Sequence, residues 1–204
     1  MATIFYYTCK MKSHYILLVL CILTVGCSTK KKSNSQEKPR TTPVFFPITA
    51  YLQGQINSFN ELQVTPLKIT TSGERQDSVW IKPGDISRLA GPFLLPVIDS
   101  ANLSKYYNES SFLDQTINSI TLSYDPKLYL QDPLSLKSLA VYIDPKTNRV
   151  TRIYIEKPLP TDKGSMMQQL TWKSDKWFKI TTITEDAGKP VEIKDEKVIW
   201  DFDE

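Results

Sequence analysis

The residue pattern predicts an α+β fold: an N-terminal helix, a β-hairpin and further helices packed on one face of an antiparallel β-meander. Three observations carry this. Apolar residues recur at helical spacing over 48–59. From Phe112 onward the apolar period falls to two. The strand-like runs are joined by short turns, which only antiparallel neighbours allow.

In chain order, Pro47 suits a first helical position, and Ile48, Leu52, Ile56 and Phe59 follow on one stripe. The runs 67–71 and 78–82 flank Ser72-Gly73-Glu74 and read as a hairpin. Asp85 is placed to cap a second helix bearing Ile86, Leu89, Ala90, Phe93 and Leu94. Pro92 should kink or split that helix and Pro96 end it. A short helix is expected around 102–107. Ile120, Leu122 and Tyr124 then alternate with Ser119, Thr121 and Ser123. Strands 139–143 and 150–156 bracket a turn in which Pro145 presets φ and Asn148 tolerates left-handed geometry. In the second of them Ile153 and Ile155 point one way, Arg152, Tyr154 and Glu156 the other. Strands 166–173 and 177–184 bracket Ser174-Asp175, and Val198, Trp200 and Phe202 suggest a last strand. The expected core is Ile48, Leu52, Ile56, Leu89, Phe93, Ile120, Leu122, Ile153, Ile155, Leu170 and Trp200.

Ahead of this domain the order is that of a secretory signal. Met11-Lys12 is followed by the apolar run Ile16–Leu23, then by Thr24-Val25-Gly26-Cys27. The run falls short of the roughly 20 apolar residues that span a bilayer. A cysteine directly after a small residue resembles the lipobox of bacterial lipoproteins, over residues 11–27. That resemblance implies cleavage before Cys27, acylation of its sulfur and a membrane-held protein. The family prefers Leu three positions before the cysteine, where this chain has Thr24. The organisation expected is a signal peptide over 1–26, lipidated Cys27 with a tether to residue 43, and one α+β domain over 44–204. Residues 28–43 are too polar to offset their ordering entropy. Ser28 and Lys30–Lys32 differ from the Asp of inner-membrane retention signals and from acid-rich surface-export tethers. By that resemblance the protein belongs at the periplasmic face of the outer membrane.

Composition excludes more than it proposes. The cysteines are Cys9, Cys21 and Cys27 and the single histidine is His14, so residues 28–204 contain neither type. Zinc sites draw on Cys and His, and Ser-His and Cys-His catalysis need a histidine base. No metal, cofactor or internal disulfide is therefore expected. Residues 44–204 hold 18 Lys/Arg against 21 Asp/Glu, a difference of minus three. No basic run interleaved with aromatics occurs there, so no nucleic-acid partner is expected. The acidic end, with Glu192, Asp195, Glu196, Asp201, Asp203 and Glu204, lacks a calcium-loop pattern and reads as solvated. Ser135-Leu136-Lys137-Ser138 lacks the Ser-x-x-Lys spacing, and the seven glycines form no phosphate loop.

Trp172-Lys173-Ser174-Asp175-Lys176-Trp177 puts aromatic and basic residues at one hairpin end. Trp172, Lys173, Lys176 and Trp177 are the candidate partner-binding residues. The functional expectation is a non-enzymatic binding module, tied to the membrane by its lipid and engaging an envelope protein. A carrier of lipid or another apolar ligand is the alternative, and a carboxylate-dependent hydrolase the third reading. Helix–hairpin–helix before a meander is loosely similar to PepSY-like and β-lactamase-inhibitor-like modules, a likeness of element order that transfers no site.

Replacing Cys27 with Ser tests the anchor. Cys27→Ser should move the protein to the soluble periplasmic fraction, or leave it uncleaved, and abolish labelling by radioactive fatty acid. Undiminished labelling contradicts the assignment.

Overall fold

The computed structural model describes residues 45–203 apart from 129 and 163. Cys27, the signal segment and residues 28–43 lie outside the described residues. Helix α1 (Ile48–Glu61) follows Pro47 and buries the stripe Ile48, Leu52, Ile56 and Phe59. Strands β1 (Leu67–Ser72) and β2 (Arg75–Trp80) form the hairpin. Its turn uses Gly73 at φ 56°, a left-handed value that a Cβ would strain. A 3-10 turn (Pro83–Asp85) leads into α2 (Ile86–Leu89) and α3 (Gly91–Leu94), split ahead of Pro92. Helix α4 (Ser100–Tyr106) follows. Asp85 makes no capping bond. Asp99 caps α4 instead, its Oδ1 accepting from the Asn102 N–H at 2.7 Å.

Seven more strands follow among the described residues: β3 (Tyr107–Asp114), β4 (Ser119–Pro126), β5 (Ser138–Ile143), β6 (Val150–Leu159), β7 (Ser165–Lys173), β8 (Trp177–Glu185) and β9 (Glu192–Ile199). All pairings are antiparallel, in one nine-stranded open sheet of order β2-β1-β9-β8-β7-β6-β5-β4-β3. The architecture is thus mostly β. The first hairpin does not lie on the sheet, as the sequence suggested, but extends it, because β1 pairs with β9. Strand β3, not resolved as a strand from sequence, is the opposite edge, and the last strand ends at Ile199 rather than running to Phe202. Turns were more legible. Asn148 and Asp175 stand at φ 56° and 62°, as tight turns at those residues require.

Topology places a strong demand on residues 81–106. They must connect β2 at one edge with β3 at the other, a span of about 38 Å for eight strand spacings of about 4.8 Å. The apolar face defined by Ile153, Ile155, Leu170, Trp172, Phe178 and Val198 (the inner face) supplies the contacts. Phe93 of α3 meets the Trp172 and Phe178 rings at 5.3 and 5.5 Å, and Phe59 of α1 meets Trp200 at 5.4 Å. Trp172 and Phe178 stack at 5.2 Å. Edge and offset geometries of this kind add to the area they bury. Leu89, Ile120 and Leu122, expected in the core, are only partly buried, whereas Tyr107, Trp172 and Phe178 are fully buried.

Two polar groups enter this apolar layer with partners. Lys157 is only 7% exposed, and its Nζ donates to the carbonyl of Pro92 at 2.5 Å and to that of Leu95. Burial lowers its pKa. The Tyr107 hydroxyl donates to Asp132 and accepts from the Leu136 N–H at 3.4 Å, tying the β4–β5 connection to the sheet edge. Towards β1 the inner side turns polar. Lys68 Nζ lies 2.6 Å and Lys194 Nζ 3.2 Å from the Glu196 carboxylate. Burial pushes Glu196 up, but the bonds from Lys68 and Lys194 outweigh it and hold its pKa below the ordinary 4.5.

A depressed carboxyl stabilises the fold above its unfolded pKa, and that contribution is lost as pH falls through the folded value. Urea midpoints should therefore fall below about pH 4.5, and Glu196→Gln should make that decline shallower while lowering the midpoint at pH 7. A variant with an unchanged acid limb contradicts the assignment.

Candidate functional site

The outer face of the sheet carries the residues that alternate with the apolar ones, and the strand registers align them into ranks. The first rank reads Phe112, Thr121, Tyr142, Arg152, Lys173, Trp177, Ile199, Leu67, Trp80 from edge to edge. The second reads Ser110, Ser123, Ala140, Tyr154, Thr171, Lys179, Lys197, Ile69, Ser78. These 18 positions hold four cations, five aromatic rings and no carboxylate. Acid borders the two ranks on both sides: Asp114 opposite Ser119 and, beside Lys173 and Trp177, Asp201 and Asp203 flank the first rank, and Glu156 and Asp195 stand in the third.

Several contacts fix the cations and rings. The Arg152 guanidinium lies 3.9 Å from the Tyr142 ring centre, and Lys197 Nζ lies 4.6 Å from that of Trp177. Such cation–π contacts hold a charge over a ring without neutralising it. The Tyr154 hydroxyl donates to Glu156 at 2.9 Å; burial, then this bond and the charge behind it, raise its pKa. Lys179 Nζ stands 3.8 Å from Asp195, which also accepts from Thr181 Oγ1 at 2.5 Å. Among the described residues no carboxylate lies within 4.0 Å of Arg152, Lys173 or Lys197.

The β7–β8 turn beside the first rank is clamped from α1. The Tyr51 hydroxyl and Ser174 Oγ are 2.8 Å apart, and the Asp175 N–H donates to Gln55 Oε1 at 3.0 Å. The four residues expected at this hairpin end separate. Lys173 and Trp177 belong to the outer face. Trp172 is 0% exposed on the inner face, packed on Phe93, Phe178 and Trp200, so it can touch no partner. Successive strand residues point to opposite faces, and that alternation corrects the assignment. Lys176 is committed to the C-terminal segment, donating to the Asp203 carbonyl and standing 3.9 Å from Asp201. Lys173, Lys176, Trp177, Lys197, Phe202 and Asp203 are among the residues lining a recess of about 440 Å³. A second recess, of about 620 Å³, lies between α1 and Trp200–Asp203.

Arg152, Tyr142, Tyr154, Lys179, Lys197 and Trp80 were not singled out from sequence as one surface. Each strand shows its own alternation, but five different strands supply these six residues. Only the register brings them together. Among known proteins, no family model, curated protein or solved structure matches the chain. The likeness in element order to PepSY-like and inhibitor-like modules therefore carries no site here.

Proposed function

We propose that this chain is a lipid-anchored, non-enzymatic binding module of the bacterial envelope. In this reading Cys27 holds it at the periplasmic face of the outer membrane, the helices form one layer over the inner face, and the outer face takes an envelope component. The observation that carries the reading is the pair of acid-free ranks with Arg152, Lys173, Lys179 and Lys197 among Tyr142, Tyr154 and Trp177. A surface of fixed charge and flat rings recognises by complementarity. The same face argues against a carrier of apolar ligand, whose site would be concave and apolar. Catalysis is disfavoured by inventory, since residues 28–204 offer no histidine as a base near neutral pH.

The test is recovery of envelope components by the tagged full chain and by Arg152→Glu/Lys173→Glu. The double variant should recover the wild-type component at least tenfold less while still unfolding in one cooperative transition, its midpoint lowered only by loss of the Arg152–Tyr142 contact. Equal recovery places the contact surface elsewhere.

A further inference from the structure

We infer that the outer face docks on the phosphate-bearing surface of an anionic lipid bilayer, an inference that rests on the binding-module reading above and names the partner of that same face. Charge is the first ground. Four cations in two adjoining ranks face outward with no carboxylate between them, and three lie beyond salt-bridge reach of any described acid. The Arg152 guanidinium, 3.9 Å from the Tyr142 ring centre and paired with no described carboxylate, can offer its N–H groups to phosphate oxygens. Attraction of this kind acts within a Debye length of the leaflet, about 8 Å at physiological ionic strength.

The aromatic residues separate a bilayer from an acidic polypeptide. Trp80 closes the first rank at 61% exposure, and its ring meets that of Phe202, 55% exposed, at 6.1 Å. A tryptophan with an apolar body and a polar N–H settles at the headgroup level, and a basic rim completes that arrangement. An acidic peptide would use the lysines and leave this pair in water.

The third ground is where the chain reaches the domain. Phe46 packs on Tyr51 at 5.4 Å, and the Tyr51 hydroxyl meets Ser174 in the turn between Lys173 and Trp177. The polypeptide thus arrives on the inner face, where Phe45 packs on Tyr124 at 6.1 Å, and Phe46 leads it to the end of the sheet that carries the first rank. Sixteen residues, 28–43, separate Cys27 from Val44, at most about 53–58 Å of chain. An acyl group on Cys27 therefore keeps the domain within that reach of the leaflet, where weak contacts act at high effective concentration.

Tryptophan emission tests this, because Trp172 and Trp200 are buried at 0% and 6% exposure while Trp80 and Trp177 belong to the outer face. The full acylated chain is reconstituted into vesicles containing a headgroup-nitroxide phosphatidylcholine, either neutral or with about a third phosphatidylglycerol. Quenching should appear on the anionic vesicles only, disappear in 0.5 M salt, and fall at least threefold in Arg152→Gln/Lys173→Gln/Lys197→Gln. Trp80→Phe/Trp177→Phe should abolish it. A chain retained on both vesicles with no quenching, or with equal quenching on both, overturns the inference and leaves the anchor standing. Failure to remain on neutral vesicles defeats the anchor instead, and docking is then decided by salt-sensitive binding to anionic vesicles alone. Capture by poly-glutamate without vesicle contact assigns the face to an acidic polypeptide and overturns it too.

Discussion

The connection from Trp80 to Tyr107 governs the rest of the molecule. Strands β2 and β3 lie at opposite edges of a nine-stranded sheet, so the residues between them must traverse its width. Such a crossing must meet an apolar surface, or its own apolar side chains would remain in water. Phe93, Ile98 and Leu103 are buried along it, and Phe93 packs edge-on against the stacked Trp172 and Phe178 rings. The Lys157 ammonium bonds the Pro92 and Leu95 carbonyls from below, where backbone acceptors at the end of α3 need a donor. Burial of Ile153, Ile155, Leu170, Trp172, Phe178 and Val198 on the inner face assigns their neighbours in sequence to the other side.

The outer face is the complement of that choice. Once Ile153 and Ile155 are buried, Arg152 and Tyr154 point outward; once Trp172 and Phe178 are buried, so do Lys173 and Trp177. Antiparallel registry then stacks these residues across neighbouring strands about 4.8 Å apart. Like charges opposite one another, such as Lys179 and Lys197, weaken a sheet. Asp195, 3.8 Å from Lys179, and the Trp177 ring beneath Lys197 offset part of that cost.

Local pattern was readable where physics is local. The α1 stripe, the break at Pro92, the left-handed Asn148 and the alternation within β6 all follow from a few neighbouring residues. Long-range placement was not. Leu67–Ser72 carries nothing in its own sequence that says it pairs with β9, and Tyr107–Asp114 has too little alternation to announce an edge strand. Trp172 was misplaced because two tryptophans five residues apart look equivalent until strand parity and the inserted turn put them on opposite faces. The candidate site was legible only at Lys173 and Trp177, since the remaining members come from other strands.

Residues 28–204 contain no cysteine, so a single introduced thiol reports one position. Thr171→Cys lies in the second rank of the outer face, and Arg88→Cys lies on the exposed side of α2. A membrane-impermeant maleimide should label both in the purified protein. In intact envelopes Thr171→Cys should be shielded at least fivefold while Arg88→Cys labels as before. Equal labelling of Thr171→Cys in the envelope and in solution would contradict the claim that this face is the contact surface.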